Sequence, residues 1–148
     1  MKALALLDVN FLVALAWPNH IHHEAAVRWF EDNHERGWAT CPLTQSGFVR
    51  VSSNQKAVPE ARTPMEAIVL LRQLTALGSH EFWADNIAIA SSEYVDAERI
   101  VGYRQVTDAH LLALARDHGG KLVTFDRGIG HVASEDVAAD AVIVLPIE

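Results

Sequence analysis

The sequence predicts an α/β fold built on a mainly parallel central sheet, and three observations lead there. Two short apolar runs, "KALALLD" and "KLVTFD", each end on an aspartate. A third run, "AVIVLPI", is rich in β-branched residues; all three fit strands buried on both faces of a parallel sheet. Between the runs lie stretches of helical periodicity with their own start and stop residues. Strands alternating with helices imply a parallel sheet covered by those helices, with a strand order that periodicity does not reveal.

Taken in order, the first run ends at Asp8, and "NFLVALA" follows as a helix that the aspartate is placed to cap. "HHEAAVRWFEDNHERG" sets Ala26, Val27, Trp29 and Phe30 on one side of a helix and stops at Gly37. "TPMEAIVLLRQLTALG" has Thr63 as N-cap, Pro64 at the first helical position, Glu66 to complete a capping box and Gly78 after the last turn. "TDAHLLALARDHGG" repeats the scheme, with Thr107 as N-cap and two glycines past the end. No internal repeat, low-complexity tract or long linker interrupts the pattern, so residues 1–148 are expected to form one domain.

Half the residues are apolar and about a fifth are charged, as in an ordinary globular protein. A chain of 148 residues is long enough to bury one sizeable core. The lone Cys41 forms no internal disulfide and offers no zinc framework; in "WATC" it reads as a small buried apolar residue. The apolar run before Asp8 is too short to span a membrane and lacks the pattern of a secretory signal, so a cytoplasmic protein without a membrane partner is expected. A net charge of −7 argues against a broadly basic nucleic-acid coat. It leaves room for a nuclease whose acidic residues are neutralised by bound cations.

In open parallel sheets the functional crevice lies outside the carboxyl ends of the strands. Asp8 and Asp126 stand where strand runs end, and Asp108 stands at a helix start, where the helix dipole favours a negative charge. Singly, each has a plainer explanation: a helix cap, a turn residue, an acid in a first turn. Together they are three carboxylates from distant segments that would repel unless cations lay between them. That arrangement holds divalent metals for phosphoryl transfer.

Four segments, "LLDVNFLVALAWPNHIHHEAA", "WATCPLTQSGFVRVSSN", "QVTDAHLLALARDHGGKLVTFDRGI" and "VIVLPI", resemble the PIN-domain ribonucleases, and more narrowly the VapC-type toxins of bacterial toxin-antitoxin pairs. The resemblance spans nearly the whole chain. It implies a three-layer α/β/α domain, an acidic cleft binding Mg²⁺ or Mn²⁺, endonucleolytic cleavage of RNA, a cognate antitoxin that blocks the cleft, and a homodimer. The family's acidic positions carry over to Asp8, Asp108 and Asp126. One position departs: PIN nucleases commonly have a glutamate in the segment that reads "PLTQSGFVR", and here Gln45 stands there. A carboxamide oxygen can join a metal site but adds no charge; alternatively, Gln45 packs or caps the helix after Pro42. Asp85 in "FWADN" is the nearest acidic residue that could compensate.

The chemistry that follows is a divalent cation on Asp8, Asp108 and Asp126 activating water for in-line attack on a phosphodiester, with no protein nucleophile. Asn10, Thr107 and Thr124 are placed to orient the carboxylates by hydrogen bonds, though cap or strand preference explains the threonines equally well. Arg50, Arg104 and Arg127 lie in or beside the acidic motifs and are the candidates for RNA phosphate contacts. The "HIHH" stretch at residues 20–23 opens a helix in a register that does not gather all three histidines, so helix-start polarity outweighs zinc. Tryptophans 17, 29, 38 and 83 fall within apolar patterns and are expected in the core or an interface. Two rival functions remain. A haloacid-dehalogenase-type phosphatase would want an acid where Asn10 stands; a non-catalytic PIN-fold binding module would find its support in Gln45.

Overall fold

The computed structural model describes residues 5–145. Residues 2–4 of the first apolar run, residues 146–147 of "AVIVLPI" and the two ends of the expected domain lie outside that range. Among the described residues, five strands form one sheet in the order β3-β2-β1-β4-β5: β1 (Ala5–Leu7), β2 (Trp38–Thr40), β3 (His80–Phe82), β4 (Lys121–Thr124) and β5 (Val142–Val144). Every pairing is parallel. Six α-helices connect them: α1 (Val9–Ala16), α2 (His23–Asn33), α3 (Pro42–Ser52), α4 (Pro64–Thr75), α5 (Val106–Asp117) and α6 (Glu135–Ala141).

The alternation of side chains along each strand sorts the helices into two layers. Ala5, Leu7, Trp38 and Val123 point to one face, where they join Phe11, Leu12, Phe30, Phe48 and Leu71 from α1 to α4. Leu6, Ala39 and Leu122 point to the other, against Leu111, Leu112 and Leu114 of α5 and Ala141 of α6. The result is the three-layer α/β/α arrangement. The chain winds from β1 to β2 to β3 with helices on the first face, then crosses to β4 with α5 on the second. The order therefore reverses beside β1, and the switch point falls between β1 and β4, where open α/β sheets have their crevice.

Several elements differ from the sequence expectation. Both β2 and β3 are three-residue strands, too short for periodicity to register. β5 is an edge strand with half-exposed residues rather than a buried one. Thr107 does not cap α5: a 3-10 turn over Tyr103–Gln105 runs straight into the helix, so Gln105 is the cap and Thr107 lies inside the first turn. The α4 start is as expected, with Thr63 and Glu66 exchanging hydrogen bonds around Pro64. Gly37, Gly78 and Gly119 close their helical segments at positive φ. Trp17, Trp38, Trp83 and Cys41 are buried.

Candidate active site

Parallel register builds the site. Leu7 pairs with Val123, so the next residues on each strand, Asp8 and Thr124, come side by side at the carboxyl edge. The backbone N–H of Asp8 donates to the Val123 carbonyl at 3.2 Å, completing the ladder. Asp8 then caps α1, its Oδ1 accepting from the Phe11 N–H at 2.7 Å. Thr124 donates its hydroxyl to Asp8 Oδ2 and accepts from the Asp126 N–H at 2.9 Å. One hydroxyl thus ties two of the aspartates together. Asp126 turns the chain by accepting from the Gly128 N–H at 2.7 Å.

The carboxylates act on one another. Asp8 is only 4% exposed, and burial pushes its carboxyl from 3.8 up to about 6; the hydrogen bonds from Thr124 and Phe11 pull it down, and the Asp126 charge pushes it up. Asp108, on the first turn of α5, is pushed up to about 7 by burial, then by the charges of Asp126 and Asp8 and by a hydrogen bond with Asp126. Three carboxyls from three distant segments therefore share one electrostatic field at the switch point. Carboxylates that raise one another's pKa in this way are short of positive charge. Among the described residues, no group of three or more His, Cys, Asp or Glu side chains stands close enough together to hold a metal ion as placed. The donor set, hard carboxylate oxygens in mutual repulsion, fits Mg²⁺ or Mn²⁺ chemically.

Behind the carboxylates runs an aromatic stack that sequence periodicity did not reveal. Phe125, between Thr124 and Asp126, lies between the rings of Phe11 at 5.5 Å and His22 at 4.5 Å, both nearly parallel to it. The histidine stretch thus packs against the end of β4. The backbone N–H of His22 donates to His20 Nδ1, and His23 Nδ1 meets the Ala14 carbonyl.

Gln45, in the first turn of α3, donates its amide to Thr40 Oγ1 at 3.0 Å, and Thr40 Oγ1 meets His80 Nε2 at 2.8 Å. Burial lowers the His80 pKa and so favours its neutral ring. Thr40 ends β2 level with Leu7, the last residue of β1, so this chain of bonds lies at the same carboxyl edge as Asp8. Gly47 lets α3 lie against α1, since a Cβ there would stand 2.5 Å from Val9 Cγ2.

Other expected residues sit apart. Asp85 pairs with His110 at 2.6 Å and accepts from the Ile87 N–H, so it braces the loop after β3 against α5. Asn10 and Thr107 are exposed and make no side-chain hydrogen bond to another described residue. Arg50, Arg104 and Arg127 are exposed, and none pairs with an acidic side chain among the described residues.

Comparison with known proteins agrees with this geometry. Residues 5–135 match the PIN domain family. Ribonuclease VapC38 of Mycobacterium tuberculosis is 54% identical over 132 residues, covering 89% of this chain and 92% of that protein. Ribonuclease VapC39 of the same organism is 48% identical over 130 residues, covering 88% and 94%. Two solved structures share the fold: PAE2754 from Pyrobaculum aerophilum, with a TM-score of 0.59 at 21% identity over 95% of this chain and 83% of that one, and FitAB bound to an IR36 DNA fragment, with 0.54 at 18% over 95% and 94%. With the family match running from β1 into α6 and near-full-length ribonucleases about half identical to it, the chain belongs to the PIN-domain family as a VapC-type ribonuclease toxin.

Proposed function

We propose that this ribonuclease is a Mg²⁺- or Mn²⁺-dependent endonuclease, with residues 1–148 acting as one cytoplasmic domain and Asp8, Asp108 and Asp126 holding the cation. The observation that carries this is the register of β1 and β4, which sets Asp8 beside Thr124 at the switch point of the sheet, where one hydroxyl bonds both Asp8 and the Asp126 backbone. A divalent cation, when bound, supplies the positive charge that activates water and steadies the developing charge on the scissile phosphate. The chain's own work is to fix the carboxylates. Thr124 orients Asp8 and holds the Asp126 backbone; the Phe11 N–H fixes the other Asp8 oxygen; α5 presents Asp108 from its first turn. Gln45 contributes at most a neutral oxygen, its amide being committed to Thr40. Arg50, Arg104 and Arg127 receive RNA phosphates. The partner is a cognate antitoxin that places an Arg or Lys among the aspartates, taking the cation's place. A homodimer would use the exposed Met65, Ile68 and Val69 of the "AIVLLRQL" helix and its start.

The test is cleavage of total RNA by the purified chain with Mn²⁺, beside Asp8→Asn, Asp108→Asn and Asp126→Asn. Each variant should lose cleavage and Mn²⁺ binding by calorimetry while keeping its circular-dichroism spectrum. Wild-type activity in all three would overturn the site. A second reading, a binding module with a decayed site, draws on Gln45; it requires that wild-type protein bind no Mn²⁺ at all.

A further inference from the structure

Tyr103 and Val101 lie just ahead of α5 with their side chains turned to solvent, 81% and 88% exposed. Folded proteins ordinarily keep the apolar body of a tyrosine covered. This exposure is built rather than slack. Gln105 Oε1 accepts from the Val101 N–H at 2.7 Å and from the Gly102 N–H at 3.1 Å, so one side chain clamps the approach and holds the turn that carries Tyr103. Arg104 Nε donates to the Tyr103 hydroxyl at 3.4 Å, and its guanidinium carbon lies 5.8 Å from the ring centroid. An exposed π-face and a fixed cation are therefore presented together.

Their place relative to the carboxylates gives them meaning. The 3-10 turn continues directly into α5. Five residues at helical rise put Tyr103 about 8–10 Å along the axis from Asp108 and about 140° around it, on the flank of the helix end that carries the carboxylate, whereas Arg104, four residues ahead, shares the Asp108 face. A strand of RNA entering an acidic crevice on a chain of net charge −7 needs positive charge beside that crevice, and Arg104 supplies it four residues ahead of Asp108. Nucleic acid held without base pairing is gripped by aromatic faces alternating with cations.

We propose that Tyr103, backed by Arg104, is a nucleobase platform of this ribonuclease: an unpaired base of the strand entering the crevice stacks on the exposed ring while the guanidinium meets a neighbouring phosphate. This rests on the ribonuclease reading of the aspartates, and only an unpaired base has a free face to stack there. Every base has such a face, so the platform sets where the strand lies more than which base is read.

The test uses the full chain, wild type beside Tyr103→Ala and Tyr103→Phe, on a labelled single-stranded RNA decamer of random sequence. Binding is followed by fluorescence anisotropy in Ca²⁺ and cleavage kinetics in Mn²⁺. Tyr103→Ala should weaken binding and raise KM on the order of ten- to a hundredfold with kcat nearly unchanged. Tyr103→Phe, which keeps the ring, should recover most of the loss. Equal affinity and KM in wild type and Tyr103→Ala, with wild type cleaving, overturns the platform and leaves the ribonuclease reading standing. Unchanged RNA binding with a changed sedimentation mass also overturns it and makes the lip a protein interface. Wild type that neither binds nor cuts any RNA overturns the ribonuclease reading itself.

Discussion

Asp8 sits where its charge is costly, and two hydrogen bonds offset only part of that cost. Its carboxyl and that of Asp108 hold protons more tightly in the folded chain than in the unfolded one, because both folded pKa values lie above 3.8. Their contribution to stability is therefore complete below about pH 4 and is lost as pH rises through about 6 for Asp8 and about 7 for Asp108. Two pKa units at a buried group amount to about 3 kcal/mol. In a chelating buffer these two groups should lower the Tm by about 5 °C or more between about pH 4 and mildly alkaline pH, and Mn²⁺ should restore it at the alkaline end. Thr124→Val removes the donor to Asp8 and the acceptor for the Asp126 N–H together; urea denaturation should show a loss of about 1–3 kcal/mol, which Thr124→Ser recovers. At Gln45, Gln45→Glu adds Coulomb attraction for a cation but breaks the donation to Thr40. If Gln45 reaches the cation, calorimetry should show tighter Mn²⁺ binding by about fivefold or more; an unchanged titration places it outside.

At the level of elements, the approach of α3 to α1 decides where Gln45 stands relative to Asp8. Gly47 is the contact point, against Val9, the residue after Asp8. Alanine at a helix interior gains about 1 kcal/mol over glycine. Here its Cβ meets a β-branched side chain with one favoured rotamer, and overpacking costs about 1–3 kcal/mol. The clash should win: Gly47→Ala is expected to be destabilising in urea melts, and Val9→Ala combined with it should turn the change favourable. A stabilised single variant would show that α1 and α3 part easily. The aromatic stack of Phe11, Phe125 and His22 acts at the same scale, joining α1, the end of β4 and the start of α2 directly behind two of the carboxylates.

For the whole molecule, the reversal of strand order between β1 and β4 concentrates negative charge at one edge of an already acidic chain. An antitoxin that enters this crevice with a basic side chain should bind Asp126→Asn more weakly than wild type, by tenfold or so for one lost charge pair of about 1.4 kcal/mol. Surface plasmon resonance with the product of the neighbouring reading frame checks it. Equal affinities would shift inhibition to an apolar helix laid in a groove. Among the described residues no helix is long and apolar enough to cross a membrane.

The sequence alone carried the α/β class, the three long helices with most of their caps, and the strand ends at which Asp8 and Asp126 stand, because apolar periodicity and capping are local properties of the chain. It also marked Asp8, Asp108 and Asp126 as candidates, since a carboxylate closing an apolar run or opening a helix is conspicuous, although Asp8 and Asp126 also bond locally to the Phe11 and Gly128 N–H groups. Tertiary structure decided the rest. Strands β2 and β3 are three residues each and exist only by pairing with neighbours. The α5 cap moved from Thr107 to Gln105 because a 3-10 turn feeds the helix, a choice made by the Gln105 clamp on residues 101 and 102. Asp85 went to His110, 25 positions away, and Gln45 to Thr40 on a strand the pattern had not shown. That Asp8, Asp108 and Asp126 share one field depends on β1 and β4 lying side by side, and parallel neighbours more than a hundred residues apart are chosen by the packing of two helical layers, which no local stretch encodes.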